Sequence, residues 1–338
     1  MPRSRRFSVP SLALAAALVA VAPATARAMH ATGQPGSGSL QTTAGGFSFS
    51  VGSSVGLVEG TASELVYYYP YGQKFKLSEL TWDLKGVVVG GLHGSVGFSR
   101  WLRFNLGVWS ALNEGNGTMV DRDWKYAPGV AVSLEPSDQN WTHESRHPDT
   151  SLDKGTMVDL NLSVLALPAG PFSLRGVVGY KHDTWNWSAR GGTYIYTDEG
   201  FRDTTGAIPD SWEVITYEQQ YSIPYIGLGA SWAWPVFQLE SHLLYSPLVS
   251  ASDSDYHALR GVLFEGDFSR GTYVGLGLNA TWAFARHWVA TLGVEYESLS
   301  DLTGDVTIRG AEGYGFYEDG GGVAVNALLF SLGAGYRF

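Results

Sequence analysis

Ten segments of alternating side-chain character recur along this chain, and the connections between them are alternately short and long. The segments are 46–66, 75–91, 99–113, 157–168, 172–190, 214–233, 236–252, 271–284, 287–300 and 323–337. "RGTYVGLGLNATWAF" and "HWVATLGVEYESL" show the pattern. Apolar residues trade places with small or polar ones, the period of a strand with two unlike faces. The short connections contain "GLHGSVGF", "PAGP", "AWPV" and "AFAR"; the long ones are 67–74, 114–156, 191–213, 253–270 and 301–322. Tight turns at one end and long excursions at the other predict an all-β fold. It is a ten-stranded antiparallel transmembrane β-barrel, its turns periplasmic and its long strand extensions and loops extracellular.

Composition fits a barrel better than its competitors. Mean hydropathy is −0.04, as expected when strands show one face to lipid and the other to the lumen. Beyond the N-terminus no apolar run is long enough for a spanning helix. There is no cysteine, so a soluble β-sandwich would lack the usual staples of an exported domain. A closed barrel needs none, because every strand is paired. Trp101, Trp109, Trp185, Trp187, Trp232, Trp234 and Trp288 fall near segment ends and are assigned to the interfacial girdles. "GAGYRF" closes an alternating last strand with Phe338, similar to the assembly signal of outer-membrane proteins.

Residues 1–28 read as a signal peptide: a basic "MPRSRRF", an apolar small-residue stretch, and "ARA" with cleavage after Ala28. Residues 29–45 read as a flexible leader, which leaves 46–338 as the barrel. The signal holds four arginines and no acid, so its removal takes the net charge from −10 to −14. That acidity disfavours nucleic acid and attracts basic partners. A single closed chain, working as a monomer in outer-membrane lipid, is expected.

The acidic residues gather in the long connections. "MVDRDW" places Asp121 and Asp123 two apart, and "SDSDYH" places Asp253, Asp255 and His257 two apart. If extended, each set shares a face. Spacing alone admits three readings: a water activated by His257 with Asp255 orienting it, a metal held by carboxylates and imidazole, or a solvated acidic loop. Ser145 in "HESRH" suggests a serine nucleophile, but Ser and His alone lack a third orienting partner.

"MVDRDW" (119–124), "HESRHPDT" (143–150), "ARGGTYIYTDEGFRD" (189–203), "PYIGL" (224–228) and "SDSDYH" (252–257) together resemble the omptin family of outer-membrane endoproteases over most of the chain after residue 45. The resemblance implies roles. Asp121 and Asp123 match an aspartate couple, and Asp255 and His257 match a catalytic Asp–His couple, with water as the attacker and no metal. Glu64 and Asp253 match the acids that hold an Arg or Lys before the scissile bond, and Met119 would line that pocket. His143 stands where members preferring a basic residue after the bond carry an acid, so that preference should relax or shift. The implied substrates are basic peptides and protein loops.

Lipopolysaccharide is the activator that the resemblance implies, but most of its basic clamp is missing. Tyr180 is kept, while His182, Thr184 and Gln220 replace charged residues; Arg270 stands near the last basic position, and Lys181 is predicted to face the other side of its strand. The other function classes are a catalytically inert barrel serving adhesion or structure, and a lipid-active hydrolase. The latter would want a Ser–His pair facing lipid, and none is found.

Overall fold

The computed structural model describes residues 47–69, 72–125, 136–311 and 313–338. The signal peptide and leader expected before residue 46 lie outside them. Eleven strands form one antiparallel sheet: β1 (Phe47–Tyr68), β2 (Phe75–Phe98), β3 (Leu102–Ala111), β4 (Gly117–Asp123), β5 (His143–Ala169), β6 (Phe172–Tyr196), β7 (Thr204–Ala233), β8 (Phe237–His257), β9 (Val262–Ala283), β10 (Trp288–Gly310) and β11 (Gly313–Arg337). β3 and β4 both lie between β2 and β5, one continuing the line of the other, so the wall has the ten staves expected. β1 pairs with both β2 and β11, which closes the ring.

The strands are longer than the sequence pattern suggests. Of the expected loops, 191–213, 253–270 and 301–322 are largely ladder, and 114–156 is ladder over Gly117–Asp123 and from His143 onward. Outward-facing apolar side chains such as Val55, Leu57, Leu160, Val178, Ile226 and Leu243 mark a belt toward the tight-turn end. Beyond it β5 continues from Leu160 back to His143, about 50–60 Å at ~3.3 Å per residue. Outside lipid neither face must be apolar, so the alternating signal fades while pairing persists.

Two expectations are corrected. "GLHGSVGF" lies in β2, and the turn follows at 99–101. Leu92 is 68% exposed on the outer face and His93 4% exposed on the inner one; the glycines that suggest a turn are strand residues. Trp109, Trp185 and Trp187 are not girdle residues but are buried inside the barrel. Trp109 shares the parity of the inward Arg103 and Asn105, and a period of two leaves no choice of face. Trp101 and Trp288, next to the tight turns, are exposed as expected.

Side chains fill the lumen in layers. Arg103, Arg175, Glu240 and Arg337 are buried on the inner face. In another layer Tyr225 donates to Asp159 at 2.9 Å, and Lys181 sits between Asp183 and Glu297. Toward the open end an aromatic floor spans the barrel. Trp82 of β2 stacks on Tyr217 of β7 at 5.2 Å between ring centroids and lies 5.9 Å from Trp187 of β6. Gln219 Nε2 reaches the Ser63 carbonyl of β1 at 3.2 Å. Trp82→Ala should lower the unfolding free energy by ~3–5 kcal/mol, the usual cost of emptying a buried aromatic site. Urea unfolding in lipid vesicles measures this, and a change under 1 kcal/mol would mean the floor does not brace the barrel.

Candidate active site

Above that floor, strand alternation and register bring the predicted residues together. On β8, Asp253 and Asp255 lie opposite Gln219 and Tyr217 of β7, and His257 lies opposite Ile215. On β4, Asp121 lies opposite Leu80 of β2 and Ser145 of β5. Glu64 of β1 also lies opposite Leu80, so β1, β2, β4 and β5 carry Glu64 and Asp121 in one lateral row. The two sets face each other closely enough for Glu64 to feel the charges of Asp255, Asp253 and Asp121.

His257 Nε2 is 2.6 Å from Asp255 Oδ2, and the His257 ring lies 5.1 Å from that of Phe264. Opposite, Ser78 Oγ donates to Asp121 Oδ1 at 3.2 Å, and Lys125 Nζ contacts Asp123 Oδ2 at 2.6 Å. Burial, then the charge of Asp123, raise the Asp121 carboxyl to about 7, against the pull of Lys125, His257 and Ser78. Near neutral pH Asp121 therefore exists both as an acceptor and as a donor.

Deeper in the cleft is an acid pocket. Tyr217 donates to Asp253 Oδ2 at 3.0 Å, and Gln219 Nε2 to the Tyr217 hydroxyl at 2.6 Å. Burial raises Asp253 to about 8, against the Tyr217 hydrogen bond and helped by Asp255. Burial, then Asp255, Asp253 and Asp121, hold Glu64 well above the usual carboxylate range. Met119 is fully buried one inward position below Asp121, in register with Trp82. Nearer the rim, His143 lies opposite Asp123 and hydrogen-bonds Thr142 Oγ1 at 2.9 Å. Burial lowers its pKa although Asp123 raises it, so the imidazole is neutral at pH 7.

Other motif residues build the walls. Ser145 Oγ is 2.9 Å from His147 Nε2, whose Nδ1 meets the Gly191 carbonyl at 2.5 Å. That carbonyl orients the ring; register puts Ser145 opposite Asp121 and His147 opposite Met119, so both side chains share the inward face and are buried there. Gly192 is needed there: its φ is +111°, and a Cβ would fall 2.2 Å from the Arg146 carbonyl. Arg202 of "EGFRD" stacks on Trp141 at 3.4 Å and donates to the Trp141 carbonyl. Sequence reasoning missed Trp82, Trp187, Tyr217 and Ser78, whose contacts cross the barrel or join strands, and Arg260, whose contact to His257 depends on a turn.

On the outer wall the expected lipid clamp is neutral or acidic apart from Arg270. Tyr180 donates to Ser222 at 2.9 Å. Asn186 and Gln220 both hydrogen-bond the carboxylate of Glu218. Lys181 faces the lumen, and Arg270 lies 3.7 Å from Asp319. Among the described residues no three or more His, Cys, Asp or Glu side chains are grouped to hold a metal ion.

A closed ten-stave barrel with an apolar outer belt and a carboxylate-rich cleft at its open end is an outer-membrane β-barrel of enzymatic type. The chain belongs to the omptin family: a model of the Omptin family matches residues 46–338. It is 30% identical over 290 residues to the outer membrane protease OmpP of Escherichia coli K12, covering 84% of this chain and 88% of that one. It is 28% identical over 296 residues to a plasminogen activator of Yersinia pestis, covering 86% and 90%. The crystal structure of the outer membrane protease OmpT from Escherichia coli superposes with a TM-score of 0.78 at 26% identity, over 86% of this chain and 97% of that one. The protein is an outer-membrane protease.

Proposed function

We propose that this protease cuts peptide bonds after Arg or Lys, using a water held between His257 and the Asp121–Asp123 pair. The supporting observation is that an Asp–His couple, a second carboxylate with an elevated pKa and a separate acid pocket all open to one cleft. Asp255 accepts the Nε2 proton of His257, which leaves Nδ1 as the base. As the water oxygen bonds to the carbonyl carbon, Nδ1 takes its proton and Asp255 stabilises the imidazolium. Protonated Asp121 donates to the oxyanion; ionised, it orients the water. Collapse of the intermediate breaks the C–N bond, and His257 returns the proton to the leaving nitrogen. The substrate's guanidinium or ammonium enters the Glu64–Asp253 pocket. No step uses a metal.

The acidic cleft draws in basic peptides and exposed basic loops. With the tight turns periplasmic, the cleft faces the exterior. One chain completes the site, so the protein acts as a monomer in outer-membrane lipid. On the outer wall Glu218 sits among amides, and Arg270, the cation left in the expected clamp, lies beside Asp319, so activity does not need lipopolysaccharide. The test is cleavage of a dibasic peptide by refolded protein, with and without lipopolysaccharide and EDTA. Equal rates within twofold in all four conditions are expected. Loss in EDTA would overturn the metal-free mechanism, and a rate only with lipopolysaccharide would overturn the lipid argument. No cleavage in any condition, from a folded barrel, would overturn the basic-residue reading.

A further inference from the structure

Arg260 lies in "HALRG", the turn that joins β8 to β9. Its backbone N–H donates to the His257 carbonyl at 3.1 Å, and Gly261 follows with φ +62°. A left-handed residue at that place reverses the chain tightly. The tight turn folds the Arg260 side chain back over the histidine that begins it. Its guanidinium NH2 lies 2.6 Å from His257 Nδ1. The guanidinium also lies 5.7 Å from the centroid of the Phe264 ring that flanks His257.

The hydrogen-bond chemistry of this contact is one-sided. A guanidinium is a donor with no acceptor, so Nδ1 must accept and carry no proton. The ring proton is then on Nε2, donated to Asp255 at 2.6 Å. Arg260 therefore selects the tautomer that hydrolysis requires. It also covers the lone pair that the water must reach. Across the mouth, Tyr196 is pushed up to about 12 by burial and by Asp121 and Asp123, and it feels Arg260 as the opposing charge. The guanidinium thus touches the Asp255–His257 couple and lies within electrostatic reach of the residue that feels Asp121 and Asp123.

We infer that Arg260 is a built-in, displaceable cap on His257: it positions the base in the free enzyme and must leave before a peptide is cut. This rests on the reading of His257 as the base. Arg260 is exposed, on a turn rather than in the ladder, so it can leave without breaking strand pairing. It has the same chemistry as the side chain proposed to enter the cleft. An incoming basic segment competes with it for the same acidic surroundings. A cap that occupies most of the free enzyme lowers apparent affinity by the uncapped fraction.

The test compares the full chain in detergent micelles with Arg260→Gln and with Arg309→Gln. The latter removes an exposed cation that pairs with Glu265 at the same end of the barrel. With a peptide carrying Arg before the scissile bond, Arg260→Gln should lower KM about five- to tenfold and leave kcat within twofold, the size expected for losing one charge-assisted hydrogen bond at an exposed edge. Arg309→Gln should change neither by more than twofold. Independently of turnover, ¹⁵N-histidine spectra at pH 8, assigned with His257→Ala, should show the Nε2–H tautomer. The Nδ1 resonance should move downfield in Arg260→Gln as its donor is lost. An unchanged or higher KM, an equal gain in Arg309→Gln, or an unmoved Nδ1 resonance would overturn the cap. If the unaltered chain cuts no peptide, the protease mechanism fails, and the Nδ1 resonance still decides whether Arg260 caps the ring.

Discussion

His257→Ala should lower kcat by about 10⁴-fold, Asp255→Ala by a similar factor, and the double variant by no more than the worse of the two. Positioned proton transfer is worth about 10²–10⁴-fold, and the Asp255–Nε2 contact makes the pair one device. Without Asp255 the ring loses the acceptor that holds its proton on Nε2 and the charge that balances the imidazolium. Without His257, Asp255 has nothing to orient. Groups that act as a unit are non-additive in this way. Independent sites would give losses that multiply to about 10⁸-fold. Single-turnover cleavage measures the factors, and heat-dependent gel mobility shows that each variant is a folded barrel. Multiplying losses, or a His257→Ala variant within tenfold of the parent, would remove His257 from the role of base.

Much of this arrangement is legible in the sequence, for reasons particular to each part. The barrel is legible because lipid on one side and lumen on the other impose a period of two, as along "RGTYVGLGLNATWAF". The outer half of each stave is not. In "HESRHPDTSLDKG" both faces meet polar surroundings, so β5 reads as loop although it pairs with β4 and β6. Glycine misleads at "GLHGSVGF", where small residues make room in the wall: a Cβ on Gly91 would fall 2.5 Å from the Trp109 ring. Tryptophan misleads where a lumen-facing ring has the same composition signal as a girdle ring, as at Trp185 and Trp187.

The proposed catalytic residues are legible because Asp-x-Asp and Asp-x-His keep one face in any extended chain. Their roles are not contained in that spacing. Glu64 stands alone in "TASELVYY" with no local partner; only register across β1, β2 and β4 puts it in the row of Asp121. The Trp82–Trp187–Tyr217 floor joins strands on opposite sides of the ring, and no local pattern encodes such a contact. Arg260 depends on the closure of a single turn.

The acid pocket should show itself most clearly through pH. In the free protein, burial holds Asp253 up to about 8, against the Tyr217 hydrogen bond and with help from Asp255. Burial and then Asp255, Asp253 and Asp121 hold Glu64 high as well. A substrate cation needs the ionised form, so binding must expel a proton at neutral pH. Affinity for a peptide with Arg at the cleavage position should therefore climb from pH 6 to about 8, at most about tenfold per unit per proton released, and then level off. A citrulline peptide, the same shape without charge, should show no such climb. Asp253→Asn should reduce the preference for Arg over citrulline by about 10²–10³-fold, the usual cost of leaving one buried charge partner unmatched. Stability should move the other way. Asp253 has a folded-state pKa above its ordinary 3.8, so the folded state holds the extra proton and loses stability as pH rises from about 4 to about 8. Asp253→Asn removes that penalty and should unfold at higher temperature than the parent at pH 7, while the two converge near pH 4. A variant that keeps its Arg preference would show that the cation binds elsewhere, and one that loses both preference and stability would show that Asp253 serves the fold rather than the pocket.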